Sequence, residues 1–145
     1  MPLEIWLRNA RKEDLSLIVE LLKNGNLPYE DIPSKLDCMF IVYSEKIVGI
    51  GGIEIYGKYG LLRSVVIKEE FRGKGYGMKL CMKLIEKARQ RGVRELYLLT
   101  TTAERFFRKL GFNVAERERV PEVIQKTDEF SSLCPSTALC MMKRI

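Results

Sequence analysis

The sequence predicts one domain over residues 1–145, an α/β fold built on a mixed sheet. Two observations carry this. Short β-type runs alternate with amphipathic helical patterns, and no repeat, low-complexity run or linker divides the chain. A strand pattern also runs through a short charged connector into alternating glycines that open the longest helical pattern.

Taken in order, residues 5–8 read as a first strand, and 9–13 lead into a helix over 14–23 with Leu15, Ile18, Val19 and Leu22 as its apolar stripe. Residues 25–33 form a polar, aromatic-bearing connection with a short helix near 29–32. Strands over 39–43 and 47–56 flank a turn at Ser44, Glu45 and Lys46. A hairpin at 57–60 then leads to a strand over 61–67. The main helix spans 76–91, with Leu80, Leu84, Ile85 and Ala88 on one face and Gly92 as its stop. Beyond it come a buried strand over 96–100 and a short helix over 103–110 ended by Gly111. The tail reads as an extended segment over 112–115, a helical turn over 121–126 and a closing strand over 138–143.

The glycine junction is the informative feature. Glycines there let backbone N–H groups approach an anion, and a helix start adds partial positive charge. The pattern is not a P-loop, because no Gly-x-x-x-x-Gly-Lys-Ser/Thr run exists. Nor is it the dinucleotide fingerprint, because Gly73, Gly75 and Gly77 alternate and lie beyond Lys68 to Arg72 rather than in a tight strand-to-helix turn. Arg72-x-x-Gly75-x-Gly77 after a strand resembles the acetyl-CoA motif of the GNAT N-acetyltransferases. A second segment, Thr100, Ala103, Phe107, Lys109, Gly111 and Phe112, is similar to the family's next conserved stretch. The run 61–65, the run 98–103 and the tail 130–138 resemble the arsenic-resistance-associated branch, and Leu-Thr-Thr followed by an aromatic pair and Gly-Phe is similar to the amino-acid acetyltransferases of arginine biosynthesis.

The resemblance implies the GNAT acyl-CoA N-acyltransferase fold, with a central mixed, mostly antiparallel sheet flanked by helices. It implies an acetyl-CoA-dependent N-acetyltransferase acting on a small amine, an amino acid or amino-acid-like compound. The backbone of Arg72, Gly73, Lys74, Gly75, Tyr76, Gly77 and Met78 would cradle the CoA pyrophosphate. Val65, Val66 and Ile67 would pair with the pantetheine arm, and Val65 or Val66 would supply an oxyanion N–H. Phe107 stands where these enzymes often carry an acid tyrosine, and it cannot donate a proton. Thr100 aligns with the proposed hydroxyl acid of the amino-acid branch. A non-catalytic acetyl-CoA sensor and a protein N-acetyltransferase are the alternative functions.

Two residues stand out without the resemblance. With a turn centred on Lys58 and Tyr59, Glu54 lies opposite Arg63 on one sheet face. That pattern suits an ordinary cross-strand ion pair. It equally suits a base, Glu54, beside a substrate-binding Arg63 that grips a carboxylate.

Composition excludes other chemistry. The absence of histidine removes Ser-His-Asp triads, His-activated cysteines and His-ligated metals. The four cysteines show no C-x-x-C pair, so no metal is expected, and with no secretion signal read at the N-terminus no disulfide framework is expected either. Charge of +6 gathers partly around the glycine junction, where it suits CoA phosphates, but no stacking-aromatic or recognition-helix pattern points to nucleic acid. Glu4 interrupts the N-terminus and no long apolar run follows, so the expectation is a cytoplasmic protein without membrane contact. Many GNAT proteins dimerise through C-terminal strands, which leaves a homodimer open.

Overall fold

The computed structural model describes residues 4–145, so the leader reading rests partly on residues outside those described. Seven strands form a sheet of order β1-β2-β3-β4-β5-β7-β6. They are β1 (Trp6–Asn9), β2 (Met39–Tyr43), β3 (Ile47–Tyr56), β4 (Tyr59–Ile67), β5 (Glu95–Thr100), β6 (Asn113–Val114) and β7 (Leu139–Arg144). β4 and β5 pair in parallel; the β1/β2, β2/β3, β5/β7 and β6/β7 ladders are antiparallel. The mixed, mostly antiparallel expectation therefore holds. The helices are α1 (Leu15–Asn24), α2 (Ile32–Lys35), α3 (Tyr76–Gln90), α4 (Glu104–Lys109) and α5 (Glu122–Gln125). The chain divides into two compact units, one running to Ile53 and resuming over Ser64–Leu84, the other comprising Glu54–Arg63 and Ile85–Ile145.

In the first unit, Ile18, Leu21 and Leu22 of α1 pack with Ile32 of α2, Met39 and Ile41 of β2, Ile50 of β3 and Val66 of β4. Side chains alternate along a strand, so Gly51 faces the other way. There Leu84 and Leu80 of α3 press onto β3 so closely that a Cβ on Gly51 would lie 2.8 Å from Leu84 Cδ1. Leu80 and Leu84 are fully buried, each stabilising the fold by about 1.5–3 kcal/mol. Helices thus cover both faces of β3 within this unit.

In the second unit, Leu61, Tyr97, Val120, Ile124 and Cys140 form the core, with Tyr56, Tyr59 and Phe130 packed against it. Gly111 (φ 96°) ends α4 in a Schellman turn: Phe112 N–H donates to Phe107 O at 3.0 Å and Gly111 N–H to Arg108 O at 3.0 Å. Gly92 ends α3 in the same way, through Val93 N–H to Ala88 O. Both stops fall where the sequence puts them.

Several boundaries differ from the sequence reading, most of them by one residue. The short helix begins at Ile32 rather than near Tyr29, because Pro33 suits a first helical turn and cannot continue a preceding one. The hairpin turns at Gly57 and Lys58, one residue earlier than expected, and β4 starts at Tyr59. Gly57 (φ 65°) occupies the first central position, where a type II′ turn puts its glycine. A π-helical turn over Glu129–Leu133 was not foreseen.

Candidate functional site

The glycine junction is built by the first unit. After β4, a 3-10 turn over Glu69–Phe71 carries the chain to Gly73 (φ 75°) and Gly75 (φ 91°). A Cβ on Gly73 would meet nothing within 4 Å, so conformation rather than space requires glycine there. Arg72 Nε donates to Ile67 O at 2.9 Å, tying the loop to the end of β4. Phe71 meets Tyr76 edge-on with centroids 5.9 Å apart, and Lys74 Nζ lies over the Phe71 ring. Arg72, Gly73, Lys74 and Gly75 are exposed. The first α3 bond runs from Lys79 N–H to Gly75 O, so helix geometry directs the N–H groups of Tyr76, Gly77 and Met78 outward from the helix start. Exposed amides between left-handed glycines, at a fifteen-residue helix, fit a phosphate ester of the CoA type.

The strand before the loop carries a feature that sequence reasoning missed. Ser64, buried inside β4, has φ 60°, a left-handed conformation rare for a non-glycine residue. A left-handed residue within a strand is a bulge signature and increases local twist. Nothing in a serine's identity announces this. Val65 and Ile67 are half-buried and Val66 is buried. On the β3 side, a Cβ on Gly49 would stand 2.3 Å from Val66 O, so only glycine lets β3 approach β4 this closely. The ladder with β5 spans Tyr59 to Leu61, and the later peptide groups of β4 lie beyond it.

The second unit holds the charged pair. Glu54 and Arg63 do meet: Arg63 Nη1 donates to Glu54 Oε2 at 2.7 Å, with side chains 1% and 0% exposed. Counted from the observed turn they are diagonal rather than directly opposite, a span long side chains bridge readily. Two further members were missed. The Tyr56 hydroxyl donates to Glu54 Oε1, and Glu129 Oε1 stands 3.6 Å from Arg63 Nε with its side chain 5% exposed. Tyr56 was in principle legible, two residues from Glu54 and hence on the same face. Glu129 had no local signal. Charges buried this deeply need partners on every side, because desolvation costs several kcal/mol per ion.

Thr100 ends β5, and its Oγ1 accepts from Ala103 N–H at 3.0 Å, leaving its own O–H available to donate. Phe107 packs edge-on against Phe106 and Phe112, with centroids 5.1 and 5.7 Å away. Burial pushes the Cys81 thiol up to about 12 and the Cys140 thiol up to about 11, so neither is a ready nucleophile at neutral pH. Among the described residues, no group of three or more His, Cys, Asp or Glu side chains could hold a metal, and no helix is long and apolar enough to cross a membrane.

Comparison with known proteins gives these features their context. The family model described as acetyltransferase (GNAT) family matches residues 5–112. An uncharacterised N-acetyltransferase of Chlorobaculum tepidum is 29% identical over 92% of this chain and 89% of its own. An amino-acid acetyltransferase of Aeromonas salmonicida is 28% identical over 79% of this chain, which spans 28% of that relative's length. The structure of N-acetylglutamate synthase from Neisseria gonorrhoeae, complexed with coenzyme A and N-acetyl-glutamate, matches at a TM-score of 0.83 over 99% of this chain and 36% of that one. Its identity is 19%, so it speaks for the fold. With the family model spanning most of the chain, from the first strand through the glycine loop to Phe112, the protein belongs to the GNAT acetyltransferase family and is an acetyl-CoA-dependent N-acetyltransferase.

Proposed function

We propose that this chain, as one domain over residues 1–145, transfers acetyl from acetyl-CoA to the amino group of a free amino acid or a close analogue. The observation that carries the reading is the loop from Arg72 to Met78, with left-handed Gly73 and Gly75 feeding a long helix directly after a bulged strand. Amino-acid acetyltransferases among its relatives support the acceptor class.

In this reading the loop amides hold the CoA pyrophosphate, and the edge of β4 from Val65 to Ile67 pairs with the pantetheine arm. The N–H of Val65 or Val66 stabilises the oxyanion as the amine attacks the thioester carbonyl. The carbon–sulfur bond breaks and CoA leaves as a thiolate. Glu54 receives the amine's proton, Arg63 binds the acceptor carboxylate, and Thr100 donates to the departing sulfur. Phe107 contributes packing beside the cofactor arm, since it has no proton to give.

The test is thiol release from acetyl-CoA against a panel of the protein amino acids, with the acetylated product identified by mass. Turnover on at least one amino acid is expected. Saturable uptake of acetyl-CoA with no release on any amino acid would overturn the amino-acid acceptor. A mass shift on a protein and on no small amine would move the acceptor class to proteins.

A further inference from the structure

A base has to meet the proton it takes, and Glu54 is sealed: its side chain is 1% exposed. Both of its carboxylate oxygens accept hydrogen bonds, Oε2 from Arg63 Nη1 at 2.7 Å and Oε1 from the Tyr56 hydroxyl. Arg63 and Glu129 are buried as well, so of these four residues Tyr56 alone, half-buried, extends to the surface. Strand β5 carries the same residue pair the other way round. Tyr97 donates to Glu95 Oε1 at 2.8 Å, again two positions apart on one strand face. There the carboxylate is half-buried and reaches water itself, while the tyrosine is buried. On β3 the carboxylate is the sealed member and the tyrosine the outward one, an order that suits passing a proton inward.

We propose that Tyr56 relays the acceptor's proton to Glu54. As the amine nitrogen bonds to the thioester carbonyl carbon, its N–H proton passes to Tyr56 Oη. The proton already on Oη passes to Glu54 Oε1 along the existing hydrogen bond. The hydroxyl ends neutral, as it began, and Glu54 ends protonated. A phenol hydroxyl can do this because it donates one proton and accepts another. No element has to move, and the Tyr56 ring stays packed against the second unit's core throughout. This rests on the reading of Glu54 as base and adds the residue that touches the amine.

Tyr56→Phe removes the hydroxyl and keeps the ring. Wild type and variant are compared for thiol release with the best amino acid, and their single-turnover rates are followed in mixtures of ordinary and heavy water. Two protons moving together bend that dependence, whereas one proton gives a straight line. The relay predicts a curve in wild type and a line in Tyr56→Phe. It also predicts a kcat lowered about a hundredfold, with acceptor KM and acetyl-CoA uptake near those of wild type. An unchanged kcat overturns the relay, and so does a lowered kcat with the curvature kept, which is what a merely structural hydroxyl would give. Should Tyr56→Phe not fold, a straight line in wild type overturns the relay and a curve upholds it. All of these outcomes leave amino-acid acetylation standing. Turnover on no amino acid removes that reading, and the relay with it.

Discussion

The first unit presents peptide groups at its glycine loop, whereas the second collects charged side chains at the Glu54–Arg63–Glu129 cluster, and the two constructions fail in different ways. A loop made of amides depends on backbone torsion, so its weak points are Gly73 and Gly75, exposed residues that pack against little. A cluster made of buried ions depends on each charge keeping its partners, so its weak points are residues of nearly zero exposure. Damage to the loop should appear as lost ligand with a sound fold. Damage to the cluster should appear first as lost stability.

The largest effect should follow Arg63→Ala. It leaves the carboxylates of Glu54 and Glu129 buried without their shared cation, a change that costs about 3–5 kcal/mol. Urea unfolding at neutral pH measures it directly. A loss under about 1 kcal/mol would mean that the cluster behaves as a solvated surface pair, and the contrast between the two regions would collapse.

Next comes Gly75→Ala. At φ 91° an L side chain is strained by about 1–3 kcal/mol, and relaxing the loop moves the amides away from the phosphates. Calorimetry should show acetyl-CoA uptake weakened about ten- to a hundredfold, with thermal stability nearly kept. Undiminished uptake would remove the loop from the site, and with it the acetyl-CoA half of the proposed mechanism.

The same contrast explains what the sequence could disclose. The loop was legible because its demands are local: the glycines, the strand before them and the helix after them are adjacent in the chain. The stops at Gly92 and Gly111 were legible for that reason too. Glu54 and Arg63 could be paired because a hairpin joins their strands, although the turn falls at Gly57 rather than one residue later. Tyrosines favour strands, which is why Tyr59 belongs to β4 and not to the turn. Glu129 comes to Arg63 from far along the chain, and no periodicity announces such a meeting. Ser64 is the opposite case, a local left-handed distortion at a residue with no preference for it.

A smaller effect belongs to a stop within the second unit. Gly111→Ala puts a Cβ at φ 96° and 2.8 Å from Lys143 Nζ. The lysine end can swing aside, but it would give up its hydrogen bond to Leu110 O. Destabilisation of about 1–2 kcal/mol is expected, read from the midpoint of denaturant unfolding. Unlike Gly75→Ala, it should leave the calorimetric affinity for acetyl-CoA near that of wild type.

The smallest effect belongs to an ion pair of the first unit that is not sealed from water, and it supplies the contrast to Arg63. Arg8 grips Asp14 with two nitrogens, at 2.8 and 3.0 Å, and Asp14 also accepts from Arg11 N–H. The Arg8 hydrogen bond is the main cause holding the Asp14 carboxyl below its usual range. A carboxyl depressed in the folded state binds its proton more readily when unfolded, so low pH favours unfolding. The contribution is therefore full above the unfolded value of about 3.9 and fades as pH falls through it toward the lower folded value. Because the Arg8 side chain is 33% exposed, solvent screening limits the pair to about 0.2–1 kcal/mol. Arg8→Met should flatten the acid limb of the stability curve by that amount and leave stability above about pH 5 lower by the same constant. A slope unchanged by the substitution would show that Asp14 is held by Arg11 N–H alone, and that this exposed pair adds nothing to the fold.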